Sequence, residues 1–309
     1  MTGHIFDFPW EVALIEWMQA HLSAGAISVI STFSFFGENV FLIALIGFLY
    51  WGWNKEFGKY VALNTLTAIT WNPMIKNIAL RLRPYMAHEQ IKILRVVEPS
   101  ADPMDIAAQG YSFPSGHATA STAALGSVAR YSRDRILTVI AIVIPLLVGI
   151  SRFTVGAHYP TDVLVGYLNG IVALFLVPFL RKKIKDERVF FGVLLLTTVP
   201  GFFYCKSGDY FTGIGMLVGV MIATFFEQRF VRFENTRNPI RIVIRIVCGF
   251  AVYIVFNTVL KLPFSSEFLD SATMAAFLVR FCRYAIISFL MFGVYPMTFH
   301  LLDRFFAKA

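Results

Sequence analysis

The chain has 309 residues, of which 57% are hydrophobic and 15% are charged, and 27 Lys and Arg residues outnumber 19 Asp and Glu residues. Ordinary soluble domains carry about 25% charged residues, so this chain has too little charge to cover a soluble surface of its size. The same numbers exclude disorder, a coiled coil, collagen and a secreted disulfide scaffold. The composition predicts a polytopic membrane protein of the all-α class, built as a helical bundle.

The first segment, residues 1–35, is predicted to be an interfacial, amphipathic helical region. Within residues 8–22, polar side chains such as Glu11 and Gln19 interrupt the apolar positions, which is typical of a short helix that lies in the membrane interface. Residues 1–10 hold no Lys or Arg, and no small-residue cleavage site follows an apolar core, so no cleavable signal peptide is expected.

Nine transmembrane helices are predicted after that region, because about 20 mostly apolar residues are needed to cross about 30 Å of hydrocarbon. The apolar segments cover residues 38–53, 57–80, 117–131, 136–155, 161–180, 189–204, 210–230, 240–260 and a stretch within 268–302. The third and sixth segments are short for a crossing.

The loops between these segments divide unequally in charge. When crossings alternate, one side carries 17 of the 27 Lys and Arg residues but only seven of the 19 acidic residues. The positive-inside rule predicts that this side is cytoplasmic, together with the C-terminus. The other side, which includes the 81–116 loop, is expected to face the periplasm, the outside or a lumen.

Three polar stretches interrupt the apolar chain, and all three fall on the predicted outer side. Ionisable residues at membrane depth are costly, so their presence indicates function. The first stretch contains Lys76 and Arg83, which are seven positions apart and can point along one helix face. Two cations near a helix end can also extend to the membrane interface without a further role.

The second stretch, Pro114-Ser115-Gly116-His117, is typical of a helix start. Ser115 is a candidate N-cap, and the small Gly116 leaves the first backbone N–H groups open. A helix N-terminus with exposed amides binds anions readily. An ordinary capped helix is the alternative interpretation.

The third stretch places Arg152 and His158 on either side of a tight turn, with Asp162 four residues after His158. At that spacing the carboxylate can accept the imidazole N–H and fix the ring tautomer, although a purely structural His–Asp pair is the alternative. Cations and amides suit a phosphate, and histidines suit a nucleophile and an acid. Because the sequence has no Cys/His metal cluster, it predicts phosphoryl chemistry without a metal or another cofactor.

These stretches resemble the three signature motifs of the type-2 phosphatidic acid phosphatase superfamily, at every signature position and in the right order. The resemblance implies that His158 attacks phosphorus to form a phosphohistidine, that Asp162 orients it, and that His117 protonates the leaving oxygen. It also implies which residues bind the phosphate oxygens of the substrate, namely Lys76, Arg83, Ser115, Gly116 and Arg152. It makes residues 36–183 the catalytic core and leaves residues 184–309 as accessory transmembrane helices of unknown role.

The implied function is hydrolysis of a lipid phosphomonoester or pyrophosphate on the non-cytoplasmic face of an integral membrane protein. Substrates of the phosphatidic acid, phosphatidylglycerol phosphate, undecaprenyl pyrophosphate and sphingoid-base phosphate types remain open. The alternatives are a phosphotransferase that uses a lipid pyrophosphate, and a lipid transporter or scramblase on the same scaffold. The expected partners are the lipid substrate and the bilayer, not nucleic acid, and the sequence does not indicate an oligomeric state.

For several other residues near the motifs, the sequence leaves two interpretations open. Arg81, Lys92 and Arg95 in the outer loop are expected either to recruit anionic head groups or to be solvated. The turn at residues 37–39 is expected to cap a helix or to contact a head group or a catalytic side chain.

Overall fold

The computed structural model describes residues 3–300, and their regular structure is entirely helical, so the predicted all-α class is confirmed. The α-helices are α1 (Pro9–His21), α2 (Ala24–Thr32), α3 (Asn39–Gly47), α4 (Lys55–Ala79), α5 (Pro84–Ala87), α6 (Ile106–Gln109), α7 (Gly116–Ser132), α8 (Arg135–Thr154), α9 (Pro160–Lys183), α10 (Glu187–Thr198), α11 (Gly208–Phe226), α12 (Pro239–Val259), α13 (Ser266–Asp270) and α14 (Met274–Phe289). Short 3₁₀ or π turns follow several of them, at Phe33–Gly37, Phe48–Trp53, Val199–Phe203, Glu227–Val231, Leu290–Val294 and Tyr295–Thr298.

Five helical segments are long and apolar enough to cross a membrane. They are Arg135–Thr154, Pro160–Lys183, Gly208–Val231, Pro239–Val259 and Met274–Thr298. A sixth is counted if the N-terminal helical pair, which is bent by 119°, forms one broken span. The predicted number of nine crossings is therefore not confirmed for residues 3–300. The end of the last predicted segment and the C-terminus, predicted to be cytoplasmic, lie outside the described residues.

The four other predicted segments correspond to helices that are short or polar. The first forms only the shorter apolar helix Asn39–Trp53, while α7 has 17 residues and α10 has 12. Helix α4 has 25 residues, but it carries a row of buried polar side chains. These are Asn64, Thr65, Thr67, Thr70 and Asn72. These polar side chains lower the mean hydropathy of α4. The helix can carry them because it packs inside the bundle rather than against lipid.

The centre of the bundle is formed by α4 and α7. Helix α7 packs against α4, α8 and α9, while α4 also packs against α11, which in turn packs extensively on α14. An apolar core between Leu63 of α4, Leu194 of α10 and Leu217 of α11 joins the two halves of the chain. Helix α4 therefore connects the motif-bearing helices to the C-terminal helices.

Close backbone contact fixes the start of α7 against α9. A Cβ atom added at Gly166 would lie 2.6 Å from the Ser115 carbonyl oxygen, and one added at Gly170 would lie 2.8 Å from the carbonyl oxygen of Thr119. Only glycine allows this approach. The Ser115 amide donates to the backbone carbonyl of Asp162 at 2.9 Å, so the second and third motifs are held together directly.

A side chain from α4 completes this arrangement. The Asn72 amide nitrogen donates to the Pro114 carbonyl at 3.3 Å and to the Thr119 hydroxyl at 3.0 Å. Pro73, next to it, lies inside α4. Asn72 therefore connects α4, which carries the first motif, to the N-terminal turn of α7.

Candidate active site

One cavity of about 530 Å³ lies where the three motifs meet. Its wall contains six of the eight predicted site residues, namely Lys76, Arg83, Gly116, His117, Arg152 and His158. The other two lie behind the wall, where Ser115 caps α7 and Asp162 sits beside His158. The structure thus brings all three motifs to a single site, although they are far apart in the sequence.

His158 lies in the turn between α8 and α9. Gly156 adopts a φ of +76°, which glycine accommodates without strain, and the His158 amide donates back to the Arg152 carbonyl at 3.3 Å. His158 is 2% exposed. Its Nδ1 atom is 3.5 Å from Oδ2 of Asp162, and its Nε2 atom is 3.5 Å from Nη1 of Arg83, which also lines the cavity.

The surroundings of His158 favour its neutral form. Burial, followed by the positive charges of Arg83, Lys76 and Arg152, lowers the pKa of the imidazole well below its ordinary value. Both causes disfavour the charged ring. A neutral imidazole keeps a lone pair on one nitrogen, which is the form that a nucleophile requires.

Arg83 holds two loops against the cavity. Its guanidinium donates to the Gln109 carbonyl at 2.6 Å, to the Gly110 carbonyl at 3.0 Å and to the Ala157 carbonyl at 2.9 Å. Arg83 is 3% exposed. Because its partners are neutral carbonyls, Arg83 keeps its positive charge available to an anion.

The two other predicted cations are held in a similar way. Lys76 Nζ donates to the Tyr111 carbonyl at 2.7 Å, and Arg152 Nη1 donates to the Ser34 hydroxyl at 3.2 Å. Ser34 also shares a hydrogen bond of 2.8 Å with Ser151. All three cations therefore combine neutral partners with a place in the cavity wall.

The start of α7 forms another part of the wall. The Ser115 hydroxyl accepts from the Ala118 amide at 3.4 Å, which confirms the predicted N-cap. Gly37 packs directly on the first turn, since an added Cβ atom would lie 2.8 Å from the Cα atom of His117. Next to it, Glu38 forms an ion pair of 2.5 Å with Arg95, and both residues line the cavity.

Arg81 contradicts its sequence interpretation. It was expected to recruit head groups or to be solvated, yet it is 1% exposed and forms ion pairs of 2.7 Å with Asp162 and with Glu11. Asp162 also accepts from the Ser112 hydroxyl and, at 2.7 Å, from the Tyr159 amide. The carboxylate that was predicted to orient His158 thus has closer partners than the imidazole itself.

Sequence reasoning also missed contributions from outside the predicted core. Asp209 and Thr212 of α11 line the cavity, and Asp209 is near enough to Lys76 and Arg83 to interact electrostatically with both. The only sequence signal for Asp209 is an acidic residue at the predicted outer end of an apolar segment. Among residues 3–300, no group of three or more His, Cys, Asp or Glu side chains is placed to hold a metal ion.

The class of protein follows from comparison with known families. A family model described as "PAP2 superfamily" matches residues 56–186, and a second, described as "PAP2 superfamily phosphatase, transmembrane extension", matches residues 211–306. The chain belongs to the PAP2 superfamily. The transmembrane extension and the apolar helices identify an integral membrane protein.

Curated relatives share part of the chain. Phosphatidylglycerophosphatase B of Bacillus subtilis is 35% identical over 101 residues, which are 30% of this chain and 49% of that protein. Undecaprenyl-diphosphatase BcrC of the same organism is 31% identical over 133 residues, covering 43% and 60% of the two chains. Undecaprenyl-diphosphatase of Sulfolobus acidocaldarius is 30% identical over 123 residues, covering 40% and 54%. The chain spans about half the length of the curated relatives it matches, and no solved structure matches it.

Proposed function

We propose that the chain is a lipid phosphatase that hydrolyses a lipid phosphomonoester or diphosphate through a phosphohistidine intermediate. One observation carries this proposal: two histidines and three cations from separate helices and turns line the same cavity, and the surroundings of His158 favour its neutral form. The names of the curated relatives, a phosphatidylglycerophosphatase and two undecaprenyl-diphosphatases, support a lipid phosphate as the substrate.

In the first step, the Nε2 lone pair of His158 forms a bond to phosphorus as the bond to the leaving oxygen breaks. His117, whose protonated form is favoured by the negative charge of the bound phosphate, donates a proton to that oxygen. The ring becomes cationic, and Asp162, next to Nδ1, stabilises the charge. Lys76, Arg83 and Arg152, with the Gly116 amide at the start of α7, stabilise the charge on the non-bridging oxygens.

In the second step, water attacks the phosphohistidine. His117, now neutral, accepts a proton from the water, the N–P bond breaks, and its electrons return to Nε2 of His158. Inorganic phosphate leaves the site. In this reaction the protein positions the groups and stabilises charge, as in phosphoryl transfer generally.

The location of the substrate follows from the membrane setting. An active site between helices at one face of a membrane protein suits a substrate whose tail stays in the bilayer. The unequal distribution of Lys and Arg supports a site on the non-cytoplasmic face. The substrate would then be drawn from the outer leaflet or from the lumenal leaflet.

The test is phosphate release in detergent from phosphatidic acid, phosphatidylglycerol phosphate, undecaprenyl pyrophosphate and a sphingoid-base phosphate. Wild type should release phosphate from at least one lipid, and His158→Ala should release none. The same substitution at exposed His21 is the matched control and should keep full activity. Full activity of folded His158→Ala would overturn the mechanism. Transfer of phosphate to a second lipid would indicate a phosphotransferase, and lipid flipping by His158→Ala in proteoliposomes would indicate a transporter.

A further inference from the structure

Glu11 of α1 is a fully buried carboxylate on a helix that the sequence assigned to the membrane interface. Its exposed fraction is 0%. The Oε1 atom accepts from the Thr161 amide at 2.9 Å and from the Thr161 hydroxyl at 2.5 Å, while Oε2 accepts from Arg81 Nη2 at 2.7 Å. Because burying a charge is costly unless it is paired, these contacts indicate a specific role for the carboxylate.

Arg81 transmits the contact to the catalytic motif. Its second terminal nitrogen, Nη1, donates to Asp162 Oδ1 at 2.7 Å and to the Thr161 hydroxyl at 2.8 Å. The guanidinium carbon lies 3.8 Å from the centre of the Tyr159 ring and 4.8 Å from that of Phe6, so the group packs against two aromatic rings. Arg81 therefore has little freedom to leave the two carboxylates.

The four side chains form a continuous series from α1 to the nucleophile: Glu11, Arg81, Asp162 and His158. Two carboxylates share one guanidinium, so the group next to His158 has a net charge of −1. Without Glu11, the Arg81–Asp162 pair would be neutral. An imidazole that acquires positive charge would then have a weaker counter-charge.

We propose that Glu11 is a positioning residue for phosphoryl transfer, which acts through Arg81 to fix Asp162 and to maintain a negative charge beside His158 as its ring becomes cationic. The proposal rests on the phosphohistidine mechanism proposed above. It gives α1 a part in the reaction, although the helix carries none of the three motifs.

The residues on α1 provide a matched pair of variants. Glu11→Gln removes the charge with almost no change of shape. Gln19 is also buried on α1, where it donates to the carbonyls of Lys92 and Thr154 and accepts from the Lys92 amide. Gln19→Leu therefore loosens the packing of α1 without any change of charge near His158.

The first measurement is phosphate release from the lipid that wild type hydrolyses fastest. Glu11→Gln should lower kcat by about tenfold or more and leave KM within about twofold, because the counter-charge matters most in the transition state. Gln19→Leu should change neither value by more than about twofold. Equal losses of kcat in both variants would mean that packing of α1, not charge, is required, and an unchanged kcat in Glu11→Gln would overturn the proposal.

The pH profile separates charge from structure. The acidic limb of kcat/KM, where His158 is protonated, should shift to lower pH in Glu11→Gln, because a lost negative charge makes a cationic ring less favourable. Gln19→Leu should leave the limb in place. The other ionisable groups that face His158 or Arg81 are the same in both variants: Lys76, Arg83, His117, Arg152, Asp162 and Tyr159.

Binding of orthovanadate tests the proposal even if no lipid on the panel is hydrolysed. Vanadate adopts the geometry of phosphoryl transfer and requires no leaving group. Glu11→Gln should weaken vanadate binding by about tenfold, and Gln19→Leu should not. Wild type that neither binds vanadate nor releases phosphate would refute the proposed function, whereas unchanged vanadate binding by Glu11→Gln would refute only the role of Glu11.

Discussion

Replacing Arg83 by lysine tests whether the shape of the cation, rather than its charge alone, organises the site. The guanidinium contacts three carbonyl oxygens, those of Gln109, Gly110 and Ala157, and its Nη1 atom faces Nε2 of His158 at 3.5 Å. An ammonium group is a single point charge without the planar fork that allows these contacts at one time. Arg83→Lys therefore keeps the charge and loses most of the geometry.

The structure sets the size of both expected effects. If lysine keeps one of the three carbonyl partners, two contacts to a charged donor are lost at about 1.5 kcal/mol each, which is about 3 kcal/mol of stability. Removal of one preorganised donor from a transition state typically lowers kcat by about 10²–10³. We therefore expect kcat/KM to fall by about 100-fold or more, together with a lower melting temperature.

Phosphate release and thermal unfolding in the same detergent measure these two effects. Arg188→Lys is the matched control, because Arg188 is exposed and the same substitution there should change neither quantity. A folded Arg83→Lys variant with kcat/KM within about threefold of wild type would refute the reasoning. Arg83 would then act only as a positive charge.

Three further predictions concern pH, metals and the C-terminal helices. Burial and the charges of Arg83, Lys76 and Arg152 lower the pKa of His158, so the nucleophile stays neutral in moderate acid. Once the ionisation of the substrate is factored out, the acidic limb of kcat/KM should therefore lie below pH 6.5. A limb above that value would contradict this reasoning. Phosphate release should continue in EDTA, and strict dependence on magnesium would argue for another mechanism. The Asp209 carboxylate lies near the cations and repels additional negative charge. Asp209→Asn should therefore favour binding of a diphosphate over a monophosphate by roughly fivefold, measured as a ratio of KM values. An unchanged ratio would show that Asp209 does not select between the two substrates.

The motif residues could be predicted from the sequence because each motif is local. Ser115 caps its own helix, and His158 and Asp162 are four positions apart, so spacing alone places them near each other. Assigning the three motifs to the same side of the membrane by charge required no tertiary information. The single cavity lined by Lys76, Arg83 and Arg152 agrees with that assignment.

The contacts that support these residues could not be predicted in the same way. Glu11 and Thr161 are 150 positions apart, and Glu11 and Arg81 are 70 apart. No periodicity in the sequence relates these residues. A charged residue on a short helix is usually exposed to solvent, so the sequence gives no sign that Glu11 is buried. Only the tertiary structure shows that Glu11 faces inward.

The number of crossings predicted from hydropathy is not confirmed among residues 3–300, for a related physical reason. A span that faces lipid must be apolar on its surface, but a helix surrounded by other helices can carry polar side chains that bond to its neighbours. In α4, the Asn72 side chain donates a hydrogen bond to Thr119 in the first turns of α7, and the Asn64 side chain donates to the Tyr60 carbonyl of α4 itself. Hydropathy therefore describes the outer helices well and the inner helices poorly.

The contrast between Arg81 and Arg83 explains why the proposal assigns phosphate binding to only one of them. Both are buried, and they are two positions apart in the first motif. Arg81 donates to two carboxylates, which more than neutralise its charge, so it attracts a phosphate only weakly. Arg83 donates to backbone carbonyls, so it stays positive where the cavity is open to an anion. A phosphate in the cavity would supply the charged partner that Arg83 lacks and that Arg81 already has.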